Sequence, residues 1–180
     1  MRVLGLDPGS RRTGYGIVEG AGNRFRSLGH GHVSPAGGLA LPERLHAIAQ
    51  RAGELMDEFS PDCVAVEEAF YHESVRSTLV LGHVRGALLV AAVERGLPVA
   101  EYSPREIKLS VAGRGGAAKD QVAFMVQRLL GLSGELQSDA ADALATALCH
   151  LHRARRPAPA LAASSAARGL AILLARRSAR

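Results

Sequence analysis

The chain opens with Arg2-Val3-Leu4-Gly5-Leu6-Asp7, an apolar run without polar alternation that stops at Asp7-Pro8-Gly9. A short run of this kind is a strand buried on both faces, and Asp-Pro-Gly is a turn signal. The first constraint is therefore a central strand that other strands must flank and helices must cover.

The residues that follow supply both. Gly14 to Glu19 continues in β-favouring residues and Asn23 to Val33 resumes after Gly20-Ala21-Gly22, which predicts a three-stranded antiparallel meander. From Pro42 to Phe59 the apolar residues Leu45, Ile48, Ala49, Ala52, Leu55, Met56 and Phe59 recur at helical spacing, as a crossover helix requires. Pro61-Asp62 breaks that helix, and Cys63 to Val66 forms a second buried strand ending at Glu67 and Glu68. A helix from about Ser74 to Arg95 is closed by Gly96 and Pro98, and Val99 to Tyr102 is another short strand. Helices are expected near Pro104 to Val111, Lys119 to Leu130 and Asp139 to His152, with the loop Gly113-Arg114-Gly115-Gly116 between the first two. The expected fold class is α/β: a mixed five-stranded sheet, its first three strands antiparallel, flanked by helices on both faces. A length of 180 residues suits one such domain, placed at 1–152, followed by an Ala/Arg-rich tail at 153–180 that reads as a disordered extension.

Charge is informative only once it is located. The formal net charge is +5, from 22 basic and 17 acidic residues. No acid follows Asp142, whereas Arg153, Arg155, Arg156, Arg168, Arg176, Arg177 and Arg180 lie beyond residue 152, leaving 15 basic against 17 acidic side chains before them, a net of −2. Nucleic-acid affinity in the folded part must then come from a local patch, while the tail can add salt-sensitive phosphate attraction. The start of the chain lacks a signal peptide's apolar stretch, and no run approaches the roughly 18 uncharged apolar residues of a membrane span. A soluble, cytoplasmic protein with no membrane partner is expected. Cys63 and Cys149 fit no metal or redox spacing and are expected to be buried thiols.

The layout gathers acids. Asp7 and Glu67 end neighbouring strands, where open sheets form their crevices, and Asp139 and Asp142 lie three apart at the start of the last helix, on one face. Four carboxylates in one site repel unless a cation neutralises them, and hard oxygen ligands select Mg²⁺ or Mn²⁺. Two such ions can activate water and stabilise a leaving oxygen in phosphodiester cleavage. Simpler readings stand beside this one. Asp7 before Pro-Gly is a common turn residue, and Asp139 after Ser138 could cap the helix, with Asp142 answering its dipole. Glu68 should face away from Glu67.

Gly5-Leu6-Asp7-Pro8-Gly9 with Thr13-Gly14-Tyr15-Gly16, Val66-Glu67-Glu68-Ala69-Phe70, and Asp139-Ala140-Ala141-Asp142-Ala143-Leu144 with His150 resemble the three acidic motifs of the RuvC family, in the RNase H-like superfamily. A fourth block agrees: Tyr102-Ser103-Pro104-Arg105-Glu106-Ile107-Lys108, then Gly113, Gly115, Ala118, Lys119, Gln121 and Val122. The resemblance spans residues 1 to about 152 in order. It implies an RNase H-like fold and a homodimer that resolves four-way (Holliday) junction DNA by paired symmetric nicks in recombination and repair. It also implies a RuvA/RuvB-type branch-migration partner. It assigns Asp7, Glu67, Asp139 and Asp142 as ligands of two Mg²⁺ or Mn²⁺ ions per subunit, Lys108 and Lys119 as lysines near the scissile phosphate, and Phe70 as an aromatic that stacks on bases. Arg76 and Arg114 complete the candidate DNA-binding set. Composition bears on the lysines: with 20 arginines, the chain keeps lysine only at 108 and 119, as expected where a compact ammonium is needed beside phosphate or metal. Gly82-His83-Val84-Arg85-Gly86 would let a second helix approach and build the dimer, or would pack on the chain's own sheet.

Three rival functions are weighed. An RNA nuclease similar to the YqgF proteins shares the Asp-Pro-Gly and Thr-Gly opening but does not suit the Lys108 to Lys119 block. An actin-like ATPase needs two such domains, more than 180 residues supply. A non-catalytic junction binder would not need all four acids.

Overall fold

The computed structural model describes residues 1–9, 11–68 and 74–155. Phe70 and all of the expected tail beyond Arg155 lie outside these residues. The strands are β1 (Arg2–Asp7), β2 (Thr13–Ala21), β3 (Arg24–Val33), β4 (Cys63–Glu67) and β5 (Val99–Tyr102). The helices are α1 (Leu41–Phe59), α2 (Val75–Glu94), α3 (Pro104–Ala112), α4 (Lys119–Leu130) and α5 (Ser138–Ala154). Sheet order is β3-β2-β1-β4-β5, with β1–β2 and β2–β3 antiparallel and β1–β4 and β4–β5 parallel. The opening run is thus the middle strand of the expected mixed sheet.

Alternation along the strands divides the core in two. Leu4, Leu6, Ile17, Val64 and Val66 meet Ile48 and Met56 of α1 and Val84 and Leu88 of α2. Val3, Val18, Ala65 and Tyr102 meet Ile107 of α3, Val126 of α4 and Leu144 and Leu148 of α5. Each fully buried aliphatic side chain contributes about 1.5–3 kcal/mol to folding. Local signals start the helices where packing wants them. Glu43 accepts the Ala40 N–H (3.0 Å) ahead of α1, the Ser74 hydroxyl accepts the Ser77 N–H (3.4 Å) in α2, and Ser103 and Glu106 cap α3 reciprocally.

α5 lies directly on backbone. Gly5 pairs with Gly16 and Asp7 with Gly14 in the β1–β2 register, so these positions share one face. A Cβ on Gly5 would overlap the Ala143 carbonyl, one on Gly14 the Asp139 carbonyl, and one on Gly16 would stand 2.7 Å from the Leu144 side chain. Three missing side chains make the trough that seats the helix. α5 also runs past the expected boundary at 152. Arg153 pairs with Glu106 (2.8 Å), and the Arg155 guanidinium lies 4.1 Å from the centre of the Phe25 ring, which holds the last turn down.

Among the described residues, α2 is long and apolar enough to cross a membrane, by length and composition alone. Its Val75, Leu79, Val90 and Val93 are exposed. Side chains added at Gly82 or Gly86 would meet open space, so packing on the chain's own sheet does not explain these glycines. A cleft of about 670 Å³ runs between α1 and α2, lined in part by Leu45, Ala49, Gly86 and Val90.

Candidate active site

β1 ends at Asp7 because Pro8 has no N–H to continue the ladder. The turn is closed by buried Thr13, whose hydroxyl donates to the Gly9 carbonyl (3.4 Å). Gly5 pairs with Ala65 in the parallel β1–β4 register, so Asp7 and Glu67, each two residues further on, emerge on the same face of the sheet. That is the face α5 covers. Glu68 starts the opposite phase, as expected.

Asp7, Glu67 and Asp142 line a cleft of about 180 Å³ together with Lys108 of α3 and Lys119, the first residue of α4. Pro104, Ile107 and Val122 form its apolar wall. Five of the six candidate catalytic residues thus meet in one place, from five different elements. Asp139 does not line the cleft. It sits half-buried in the first turn of α5, whose backbone rests on Gly14 at that point, and acts on the site through its charge. Nor does it cap the helix: Gln137 holds the N-cap position, without a side-chain bond. The reading of Asp139 as an N-cap is therefore not realised.

The electrostatics are those of carboxylates crowded away from water. Burial, reinforced by Asp142 and Asp139 and opposed by Lys119, pushes Asp7 up to about 7. Burial, then the charges of Asp7 and Asp142, raises Glu67 to about 8 against the pull of Lys119 and Lys108. Lys119 donates to Asp142 Oδ2 at 3.2 Å and is itself raised by that carboxylate. The lysine side chain is 74% exposed, so this pair is worth little as a staple and leaves the ammonium free to turn toward an incoming anion.

The donor set fits a hard divalent cation. It is all oxygen, it is flanked by fixed positive charge, and two of its members are held so far above the carboxylate range that added positive charge would relieve them. No three His, Cys, Asp or Glu side chains among the described residues stand close enough to share a cation as they are placed. Repulsion between the acids, and the bond from Lys119 to Asp142, are consistent with that spacing.

The remaining candidates fall elsewhere. Arg114 donates to Gln121 (3.0 Å) and lines a separate cavity beside Phe124. Arg76 lines another, with Arg11 and Arg44. Phe70 lies outside the described residues. His150, which ends the third motif, bonds Tyr102 across 2.8 Å, eight residues along α5 from Asp142, and its burial lowers its pKa. Cys63 and Cys149 are buried free thiols, as expected.

Sequence reasoning did not register the glycine trough, although Gly5, Gly14 and Gly16 stand within the quoted motifs. It also missed His32, which bonds Gln137 at 2.8 Å and ties β3 to the start of α5. The signal for the first was available, since glycine inside a strand marks close approach of another backbone. The second joins residues 105 apart, and no local pattern carries it.

Comparison with known proteins extends beyond this cleft. The family model described as "Crossover junction endodeoxyribonuclease RuvC" matches residues 3–150. A protein of that name from Hyphomonas neptunium is 49% identical over 152 residues, covering 84% of this chain and 91% of its own. One from Pelobacter propionicus is 51% identical over 152 residues, covering 84% and 86%. Among solved structures, T. thermophilus RuvC in complex with Holliday junction substrate superposes with a TM-score of 0.81 at 40% identity, covering 86% of this chain and 95% of that one. The yeast mitochondrial Holliday junction resolvase Ydc2 shares the fold, with a TM-score of 0.61 at 16% identity over 83% of this chain and 78% of its own.

Proposed function

The chain belongs to the RuvC family of crossover junction endodeoxyribonucleases, and from that premise we propose that it resolves four-way DNA junctions by paired, symmetric nicks in recombination and repair. The observation that carries the reading is the convergence of Asp7, Glu67 and Asp142 with Lys108 and Lys119 in one cleft.

Asp7, Glu67, Asp142 and, from the cleft's margin, Asp139 would hold two Mg²⁺ or Mn²⁺ ions per subunit. When bound, such ions supply an activated water and charge stabilisation at the leaving oxygen. The chain's own residues do the rest. Lys119 exchanges its bond to Asp142 for a non-bridging oxygen of the phosphate, and Lys108 bears on the same group from α3. The apolar wall of Pro104, Ile107 and Val122 limits water around the reacting bond and strengthens these charge interactions. Thr13 and the glycine trough hold Asp7 and Asp142 in register.

Pairing of nicks requires two sites in one assembly, and α2 offers the surface. Its exposed Leu79 and Val90, the open faces of Gly82 and Gly86, and the adjoining cleft suit a second copy of the chain better than solvent. Phe70 is proposed to stack on a base at the crossover, and a RuvA/RuvB-type complex to deliver the junction. Cleavage of a labelled four-way junction, a linear duplex and a structured RNA is to be compared in Mg²⁺ and in Mn²⁺. Symmetric nicking of the junction is expected; preferential cutting of the RNA would overturn the assignment.

A further inference from the structure

Outside the carboxylate cleft, three guanidiniums share one cavity. Arg11 in the β1–β2 turn, Arg44 in the first turn of α1 and Arg76 in the first turn of α2 line a space of about 360 Å³ with Leu41, Ser77 and Val80. Neither the family match nor the acidic motifs account for this grouping, because its members stand some thirty residues apart and come from three elements.

Its position follows from topology. β3 runs antiparallel to β2 and β2 antiparallel to β1, while β4 is parallel to β1, so β1, β3 and β4 all point the same way. The chain leaving β3 and β4 therefore starts α1 and α2 at the edge of the sheet where Asp7 and Glu67 end their strands. Arg11 is four residues beyond Asp7, which limits their separation to about 14 Å of extended chain. One DNA strand advances about 3.4 Å per nucleotide along the helix axis. A duplex with one phosphate at the carboxylate cleft would thus bring phosphates about four nucleotides away over this edge. No acidic side chain lines the cavity. Like-charged guanidiniums repel one another, so collecting three around one space is unfavourable unless an anion joins them.

We propose that Arg11, Arg44 and Arg76 form a backbone-phosphate clamp that grips the DNA arm flanking the cut, on the α1–α2 side of the sheet edge. Guanidiniums suit the task, since each can meet a phosphate with two parallel hydrogen bonds. The clamp rests on the nuclease reading above, but it predicts a different observable: it holds the arm without touching the reacting bond. It therefore contributes to affinity and its salt dependence, and leaves the rate of the bound complex alone.

The test measures binding of a fluorescent four-way junction, and separately of a linear duplex, by anisotropy in EDTA between about 50 and 200 mM salt. Each lost phosphate contact should reduce the slope of log K against log salt by about 0.9, equivalent to about 3.5-fold in affinity over a fourfold rise in salt. Arg11→Gln and Arg76→Gln should each show that loss and the double variant the sum, while Arg11→Lys and Arg76→Lys retain the slope. Cleavage at saturating junction should stay at the wild-type rate for all of them. Wild-type slopes in the Gln variants, with melting temperatures unchanged, would overturn the clamp, as would a cavity that takes an acidic peptide and ignores DNA. Failure of the nuclease reading would show instead as a wild-type protein that does not cut the junction.

Discussion

Replacing Asp7 with asparagine should make the metal-free protein more stable while abolishing cleavage. The Asp7 carboxyl sits at about 7 in the folded chain, against an ordinary 3.8, first because it is buried and then because Asp142 and Asp139 repel it. As pH rises the unfolded chain gives up this proton first, so ionisation favours unfolding. The penalty is absent below about pH 4, grows as pH climbs toward 7, and is constant beyond. A displacement of that size corresponds to about 4 kcal/mol as a ceiling. Water entry and relaxation of Asp142 should reduce it to about 2 kcal/mol, and the Glu67 penalty cannot simply be added, because the two acids titrate together. In a chain of this length about 2 kcal/mol raises the melting temperature by about 4–8 °C. Melting followed by circular dichroism in EDTA should show that gain for Asp7→Asn at pH 7.5 and lose it near pH 4. Adding Mg²⁺ should raise the wild-type protein more than the variant. An Asp7→Asn protein that melts at or below wild type at pH 7.5, or whose gain is the same at both pH values, would refute the reasoning.

Lys119→Ala should lower the single-turnover rate on a bound junction by about 10²-fold, the scale of one lost charge-stabilising donor, with little change in Kd; an unchanged rate would remove Lys119 from the site. Asp142→Asn should cost more cleavage than Asp139→Asn when rates are compared at saturating Mg²⁺, because only Asp142 lines the cleft. Gly5→Ala should destabilise the protein by about 1–3 kcal/mol in urea melts through overlap with the Ala143 carbonyl. Gly37→Ala, where an added methyl meets open space, should be silent by the same measurement.

Much of this molecule is readable from short-range pattern. The unalternating run to Asp7 gave a central strand, and the strand-ending acids Asp7 and Glu67 could be matched once β1 and β4 were taken as parallel neighbours. Lys108 and Lys119 were marked by the family block and by their rarity in an arginine-rich chain, and both line the cleft. Asp139 was harder. A spacing of three says that two residues share a helical face, but which edge of that face overlooks the cleft depends on how α5 is rolled on the sheet. That roll is set by Gly14 under the Asp139 carbonyl. The arginine cavity was invisible for a related reason. Arg76 was a candidate without its neighbours, since Arg11 and Arg44 join it only through strand directions and helix starts.

Because Gly5, Gly14 and Gly16 present bare backbone, the distance from Asp7 to the acids of α5 is fixed by main chain resting on main chain. Side-chain volumes elsewhere in the two cores can drift over generations without transmitting an error to that spacing, since no rotamer stands between the strand and the helix. The fold thereby separates what lineages may vary from what they must keep. Aliphatic residues can be exchanged around the site, while three positions without side chains act as its gauge blocks.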